Sequence, residues 1–253
     1  MKVTILGCGG SAGVPMIGNE WGNCDPNEPR NVRLRPSILV EDKDQVLLVD
    51  TSPDMREQLL RADIKDLTAI FYTHAHADHC HGIDNIRTVN WMTRKPMPVY
   101  GNEVTIKELT HRFEYIFQSG TPDKFYRPAV EVYIIQGPMD FGDIHVTTYP
   151  LKHGRDICLG YRFNDFAYST DVSEINEAAF EALRGVKVWV VDAVREEPHH
   201  SHAHLERTLE WIERVKPAKA YLTHMNQTMD YCSLLAKLPH HVEPAYDGLV
   251  IEL

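Results

Sequence analysis

Four potential metal ligands lie within six residues of one segment: His74, His76, Asp78 and His79. The segment follows an apolar run, residues 67–72, that predicts a buried β-strand. Because His74 and His76 are two residues apart, both imidazoles can turn to one side of a loop that leaves the strand. Asp78 and His79 can then face a second, neighbouring point. Imidazole and carboxylate suit zinc, manganese or iron, so this spacing predicts a metal site, most readily with two ions, and leaves the reaction open.

Other potential ligands follow other predicted strands. Isolated His or Asp residues end five strands, at Asp50, His74, His153, Asp171 and His224. Loops at one edge of a rigid sheet scaffold commonly carry functional side chains. We therefore expect these five residues to converge.

The composition limits the size of the molecule and the kind of partner. The chain has 253 residues, of which 43% are hydrophobic, and no linker-like stretch divides it, so residues 1–253 are expected to form a single domain. The net charge of −10 argues against a large nucleic-acid surface, because such surfaces are basic. It leaves a small phosphate-bearing substrate open, since bound metal ions would be the largest local charges in the site.

The N-terminus and the cysteines indicate a reduced, cytoplasmic protein. Residues 1–7 predict a first strand and not a signal peptide, and no apolar run approaches the length of a membrane span. The cysteines are odd in number and form no C-x-x-C pair; they are Cys8, Cys24, Cys80, Cys158 and Cys232.

The order of predicted elements indicates an α+β fold. A strand-rich first half gives way to alternating strands and helices, which favours two sheets packed face to face with helices covering both. Helices are predicted over residues 54–61, over 103–117 after the cap Asn102, from Ser173 to 184, up to 215, and over 229–237. The glycine-rich segment 7–15 either lines the site or only makes a tight turn. The arginines of the following loop, Arg30, Arg33 and Arg35, either hold a phosphate or lie on a solvated face.

Together these motifs resemble the metallo-β-lactamase superfamily over nearly the whole chain. The resemblance implies a four-layer αββα sandwich with two divalent metal ions, Zn²⁺ or Mn²⁺. By motif position it implies that His74, His76 and His153 bind the first metal. It likewise implies that Asp78, His79 and His224 bind the second, that Asp171 bridges the two, and that Asp50 supports the His74 loop through hydrogen bonds.

Within the superfamily the chain most resembles the PhnP-like phosphodiesterases, which are similar to tRNase Z. The resemblance rests on Gly7-x-Gly9-Gly10-x-x-Gly13-Val14-Pro15, Ser201-His202, Leu222-Thr223-His224 and Tyr246-Asp247-Gly248. It implies that His202 lies beside the scissile phosphate as a proton donor. The chain departs from PhnP at its separate structural zinc, because only Cys24 remains in that region and Gln227 stands at the histidine position. We expect that zinc to be absent.

The resemblance predicts a phosphodiesterase for a small cyclic or nucleotide-like phosphodiester, with Asp78 and His202 as its catalytic residues. A hydroxide held between two metals about 3.5–4 Å apart would attack phosphorus, and His202 would protonate the leaving group. The alternatives are a thioester or lactone hydrolase of the glyoxalase II kind, a tRNase Z-like ribonuclease, and a sensor that binds its ligand without turnover. The expected partner is the small substrate, with no membrane; a homodimer stays open.

Overall fold

The β-strands of the described residues form two seven-stranded sheets, and each sheet is part antiparallel and part parallel. The computed structural model describes residues 1–117 and 129–253. The strands are β1 Lys2–Gly7, β2 Ser37–Asp42, β3 Gln45–Val49, β4 Ala69–Phe71, β5 Met97–Gly101, β6 Val130–Ile134, β7 Met139–Phe141, β8 Ile144–His153, β9 Asp156–Phe163, β10 Phe166–Ser169, β11 Val188–Asp192, β12 Lys219–Thr223, β13 Val242–Pro244 and β14 Val250–Glu252.

The helices lie between these strands along the chain. They are α1 Met55–Arg61, α2 Ala77–Cys80, α3 Ile86–Thr93, α4 Glu103–Arg112, α5 Glu114–Phe117, α6 Glu177–Ala182, α7 Leu205–Val215 and α8 Tyr231–Lys237. Short 3₁₀ turns occupy Pro29–Asn31 and Ile83–Asn85. No helix in the described ranges is long and apolar enough to cross a bilayer.

Successive residues of the central strands enter different hydrophobic clusters. In β3, Leu47 and Val49 pack into the cluster between the two sheets, whereas Leu48 packs with Met55 and Leu59 of α1. Side chains alternate across a strand, so a strand covered on both faces must be apolar at every position. This pattern gives the predicted layers, helix–sheet–sheet–helix, of an α+β sandwich.

The strand order places many strand ends at one edge of the molecule. In the first sheet, β3, β4, β5 and β6 are parallel neighbours. In the second sheet, β10, β11, β12 and β13 are parallel neighbours. Parallel neighbours end at the same edge of a sheet, so the residues that follow β3, β4, β10 and β12 are brought together with the last residue of β11.

Several details of the predicted elements are wrong, and the helix α3, Ile86–Thr93, was not predicted. The helix predicted over 103–117 is divided at Phe113 into α4 and α5. Ser173 does not cap a helix: its hydroxyl donates to the Lys152 carbonyl, and α6 is capped instead by Asn176, whose side chain accepts the Ala179 N–H. The three-residue strands β7 and β13 were not predicted, because so short a strand has too few residues to show a period-two pattern.

Candidate metal centre

The histidine-rich motif is part loop and part helix. His76 adopts extended backbone and stands at the N-cap position of α2, so Asp78 and His79 lie in the first turn of that helix. The prediction that all four residues lie on one loop is therefore wrong for Asp78 and His79. Side chains change face where the backbone changes from extended to helical. The pair His74 and His76 therefore still points in a different direction from the pair Asp78 and His79.

The first group of potential ligands joins the two sheets. Ligand atoms of His74, His76, His153 and Asp171 all lie within 4.8 Å of one another. His153 Nε2 is 3.2 Å from His76 Nδ1, and Asp171 Oδ2 is 3.7 Å from His74 Nε2 and 3.6 Å from His153 Nε2. Three nitrogens and one carboxylate oxygen therefore face one point.

The second group lies on the other side of the same carboxylate. Asp78, His79, Asp171 and His224 also offer ligand atoms within 4.8 Å of one another. Asp171 Oδ1 is 3.0 Å from His79 Nε2 and 3.2 Å from His224 Nε2, and Asp78 Oδ2 is 3.4 Å from His224 Nε2. Asp171 thus presents one oxygen to each group, which is the geometry of a bridging ligand.

The buried polar atoms of these groups fit a metal better than they fit each other. His74 Nε2, Asp78 Oδ2, His79 Nε2 and His224 Nε2 are buried and have no hydrogen-bond partner among the described residues. Buried polar atoms are nearly always paired, because leaving one unpaired costs free energy. Converging lone pairs of imidazole and carboxylate are what Zn²⁺ or Mn²⁺ would satisfy.

The charge state of the first group suits metal binding, whereas in the second group Asp171 and Asp78 outweigh burial and raise the pKa of His224 to about 9, so a metal there would have to displace a proton. Burial lowers the pKa values of His74 and His153, and neutral imidazole is the form that binds metal. Burial opposes ionisation of Asp171, but His224 and His79 outweigh it and hold the pKa of this carboxyl well below its usual range.

Three residues at this edge have a left-handed backbone. The φ angles are 64° at Asp50, 54° at Asp171 and 59° at His224. Such a conformation costs about 1–3 kcal/mol at a non-glycine residue and persists only where the surroundings impose it. Each of the three ends or follows a strand, so the turn of the backbone there redirects a side chain toward the centre.

A buried carboxylate supports the histidine motif from behind, as predicted. Asp50 Oδ2 lies 2.7 Å from His79 Nδ1, and Asp50 also accepts the Thr73 N–H at 2.8 Å and the Thr73 hydroxyl at 2.7 Å. The Thr73 hydroxyl lies 3.0 Å from His74 Nδ1. Burial raises the pKa of Asp50, although His79 and Thr73 counteract this. These contacts use Nδ1 of His74 and of His79, and they orient the free Nε2 atom of each ring toward the points where the ligand atoms converge.

Asp50→Asn is expected to weaken metal binding by about 10–100-fold without abolishing it, because partners of this kind orient the ligands and do not bind the ion. The measurement is competition for Zn²⁺ against a chromophoric chelator. Asp63→Asn, at a side chain that is 88% exposed, is the matched control and should bind as the wild type does. Equal metal affinity of the Asp50 variant and this control would contradict the supporting role.

His202 lies beside both groups, and its partner is a residue that the sequence analysis did not single out. His202 Nδ1 is 3.0 Å from Asp192 Oδ2, which also accepts the Val172 N–H at 2.9 Å. The His202 ring stacks on His224, with centroids 4.7 Å apart. Asp192 is buried and ends a strand, as Asp50 and Asp171 do, so its position after an apolar run was the signal that could have found it.

The glycine-rich segment lies against the centre. The Gly10 N–H donates to the Met225 carbonyl, and a Cβ at Gly10 would lie 3.4 Å from the His224 carbonyl oxygen. Asp247 holds the start of this segment, since its carboxylate accepts the Cys8 N–H at 3.1 Å and the Leu34 N–H at 2.7 Å. Burial raises the pKa of Asp247 to about 7 despite these two donors.

The three arginines of the 16–36 loop have protein partners. Arg30 pairs with Glu28 at 2.7 Å and Arg35 with Asp54 at 2.8 Å. Arg33 is buried and donates to the Met229 carbonyl at 2.6 Å. These contacts favour a structural role for the arginines over the phosphate contact that was left open.

Comparisons with known proteins agree with this geometry. A family model described as "Beta-lactamase superfamily domain" matches residues 45–225. A crystal structure titled "Crystal Structure of a New Diphosphatase from the PhnP Family" is 36% identical, with a TM-score of 0.92, and the match covers 100% of this chain and 96% of that one.

Curated relatives are longer proteins. An octanoyltransferase of Porphyromonas gingivalis is 30% identical over 98% of this chain and 51% of its own length. A ribonuclease Z of Thermococcus onnurineus is 29% identical over 57% of this chain and 45% of its own length. The chain spans about half the length of the curated relatives it matches.

Proposed function

This chain belongs to the β-lactamase superfamily, and from that premise we propose that it is a two-metal phosphodiesterase for small cyclic or nucleotide-like phosphodiesters. The observation that carries the proposal is the position of Asp171, with one carboxylate oxygen toward each of two groups of buried ligands. The similarity to the PhnP-family diphosphatase supports phosphorus as the reacting centre.

The ligand assignment follows from the two groups. His74, His76 and His153 would hold one ion; Asp78, His79 and His224 would hold the other; and Asp171 would contact both. When bound, two such ions supply the hydroxide nucleophile and offset the charge on the phosphoryl oxygens. The part of Asp78 in catalysis is to hold its ion in place.

The chain's own residues would handle the leaving group. An alkoxide leaves poorly and needs a proton, and the His202 ring lies next to both ligand groups, stacked on His224. Asp192 accepts a hydrogen bond from Nδ1 of His202 and so fixes the orientation of the ring. The Nε2 atom of His202 is thereby left to donate to the departing oxygen.

One comparison favours a second candidate, an acyl or thioester hydrolase. The octanoyltransferase similarity extends over 98% of this chain, whereas the ribonuclease Z similarity extends over 57%. Since the chain spans only 51% of the octanoyltransferase, the acyl-transfer activity can reside in the other half of that protein. We therefore rank the phosphodiesterase first.

The size of the substrate and the state of the chain are further parts of the proposal. The net charge of −10 supports a small substrate over a long nucleic acid. All five cysteines are free thiols, which supports a cytoplasmic location. Whether the protein is a homodimer can be measured by light scattering of the purified protein.

The deciding experiment is hydrolysis of bis(p-nitrophenyl) phosphate by purified protein, first stripped with a chelator and then supplied with Mn²⁺ or Zn²⁺. We expect release of p-nitrophenol that requires added metal, and slower turnover of an octanoyl thioester. A protein that holds two ions per chain and hydrolyses no phosphodiester would refute the proposal. Thioester turnover in that protein would then establish the second candidate.

A further inference from the structure

A small cavity opens beside His202, next to the two ligand groups. Its volume is about 190 Å³, which is the space of roughly six water molecules. The lining residues are Gly10, Ser11, Ala12, Gly13, Val194, His199, His202, His224, Asn226 and Gln227. The cavity therefore lies where a group attached to the departing oxygen would have to go if His202 is the proton donor.

The described lining of this cavity carries no lysine, arginine, aspartate or glutamate. Besides His202 and His224, the titratable side chain of the described lining is His199, whose pKa is lowered to about 4 by burial and by the neighbouring His202, so it is neutral near pH 7. The two nearest arginines of the 16–36 loop are held by other partners, Arg33 by Met229 and Arg35 by Asp54. Apart from His202, His224 and the edge of the paired Arg35 guanidinium beside Gly13, a second phosphate in this space would meet no cation from the described residues.

The lining is nevertheless polar, and its polar atoms are available. The Gln227 amide and the Ser11 hydroxyl make no hydrogen bond to another described residue, and Asn226 uses only its side-chain oxygen, toward Thr228. The stem of Gln227 is confined by the chain at Gly22, where a Cβ would lie 2.6 Å from Gln227 Cγ. An amide with a fixed stem and a free head group is suited to binding a hydroxyl.

We infer that this cavity is the leaving-group subsite, and that Gln227 selects an uncharged, hydroxyl-bearing alcohol there over a charged phosphate. The inference rests on the proposed function, since it assumes hydrolysis at phosphorus. In that step an oxygen derived from water bonds to phosphorus and the P–O bond to the alcohol breaks. The alcohol oxygen takes a proton from His202 and moves into the cavity; in a cyclic diester the alcohol stays joined to phosphorus through its second ester oxygen. Gln227 is then a specificity-determining residue.

A matched pair of substrates measures how much a hydroxyl on the alcohol contributes to the rate. Glycerol 1,2-cyclic phosphate and propane-1,2-diol cyclic phosphate differ by one hydroxyl on the alcohol. We expect the metal-loaded wild type to prefer the glycerol compound by about tenfold in kcat/KM, the effect of about one hydrogen bond. Equal kcat/KM values for the two would overturn the inference.

Gln227→Met keeps the length of the side chain and removes its hydrogen bonding. It should abolish the preference for the glycerol compound over the propane-1,2-diol compound. Gln136→Met, at an exposed glutamine, is the control and should keep the preference. Melting temperature and metal content of the variants establish that they are folded. An undiminished preference in Gln227→Met would overturn the assignment of this residue.

Pyrophosphate tests the charge of the subsite. We expect the wild type to hydrolyse it more slowly than glycerol 1,2-cyclic phosphate, and Gln227→Lys to improve its hydrolysis by about tenfold, because an ammonium group would then face the leaving phosphate. Faster hydrolysis of pyrophosphate by the wild type would overturn the inference while leaving metal-dependent phosphorus chemistry intact. Failure of the proposed function is distinguishable, since no phosphorus substrate would then turn over.

Discussion

Replacement of His202 with alanine is expected to lower kcat/KM for phosphodiesters with an alkyl leaving group by about 10²–10⁴-fold, the usual contribution of a general acid. Hydrolysis of bis(p-nitrophenyl) phosphate should change by less than about tenfold, because p-nitrophenolate leaves without a proton. The His202 ring lies against His224, next to both groups of potential ligands. Its loss therefore removes a proton source and leaves the ligands in place.

Comparing the turnover of aryl and alkyl esters distinguishes a proton-donating role of His202 from a structural role. A merely structural role for His202 would lower the turnover of aryl and alkyl esters equally, and that result would contradict the prediction. His200→Ala is the control, since His200 lies two residues away on the same loop and is exposed. This variant should behave as the wild type does on both substrates.

Replacing Asp192 should also lower activity on alkyl esters, but this loss should not add to the loss caused by replacing His202. Asp192→Asn keeps the shape of a fully buried side chain but replaces the carboxylate that accepts the hydrogen bond of His202 Nδ1 and orients the ring. A loss of about 10–10²-fold on alkyl esters is expected, and the double variant with His202→Ala should be no worse than His202→Ala alone. Residues that act as a unit show this non-additivity. A further loss in the double variant would mean that Asp192 acts independently.

The second large effect is expected at Asp171. Asp171→Asn should reduce the metal content from two ions per chain to one or fewer, and should lower kcat/KM by about 10³-fold or more on aryl and alkyl esters alike. The physical reason is that Asp171 Oδ1 faces His79 and His224 while Oδ2 faces His74 and His153. A carboxamide offers one oxygen and no charge, so it cannot serve both groups.

Metal content measured by inductively coupled plasma mass spectrometry, alongside activity, checks this prediction. Asp156→Asn is the matched control, because Asp156 lies 4.0 Å from His76 at the rim of the site and its side chain is 72% exposed. It should retain two ions and most of the activity. Two bound ions and near wild-type turnover in Asp171→Asn would show that the carboxylate does not bridge.

Much of the fold was determined by local patterns in the chain. Alternating or continuous apolar runs predicted most strands, and the cap at Asn102 was correct, because side-chain periodicity and capping are properties of neighbouring residues. The residues at which helices begin and end were less well determined by the sequence. Ser173 could cap a helix as well as Asn176 could, and only the contact of Ser173 with the Lys152 carbonyl, 21 residues away, removes it from that role.

The site divides in the same way. The sequence by itself determined which residue types could bind metal, since four of them stand together in one motif and others follow strands. The family resemblance had already implied that Asp171 lies between two groups. Only the tertiary structure decided that Asp192 supports His202, that Arg33 is buried against Met229, and that Gln227 lines a cavity beside His202. These are contacts between distant segments, set by the order of strands in two sheets and by the left-handed backbone at Asp50, Asp171 and His224. Neither the strand order nor a backbone conformation imposed by packing leaves a local signal in the sequence.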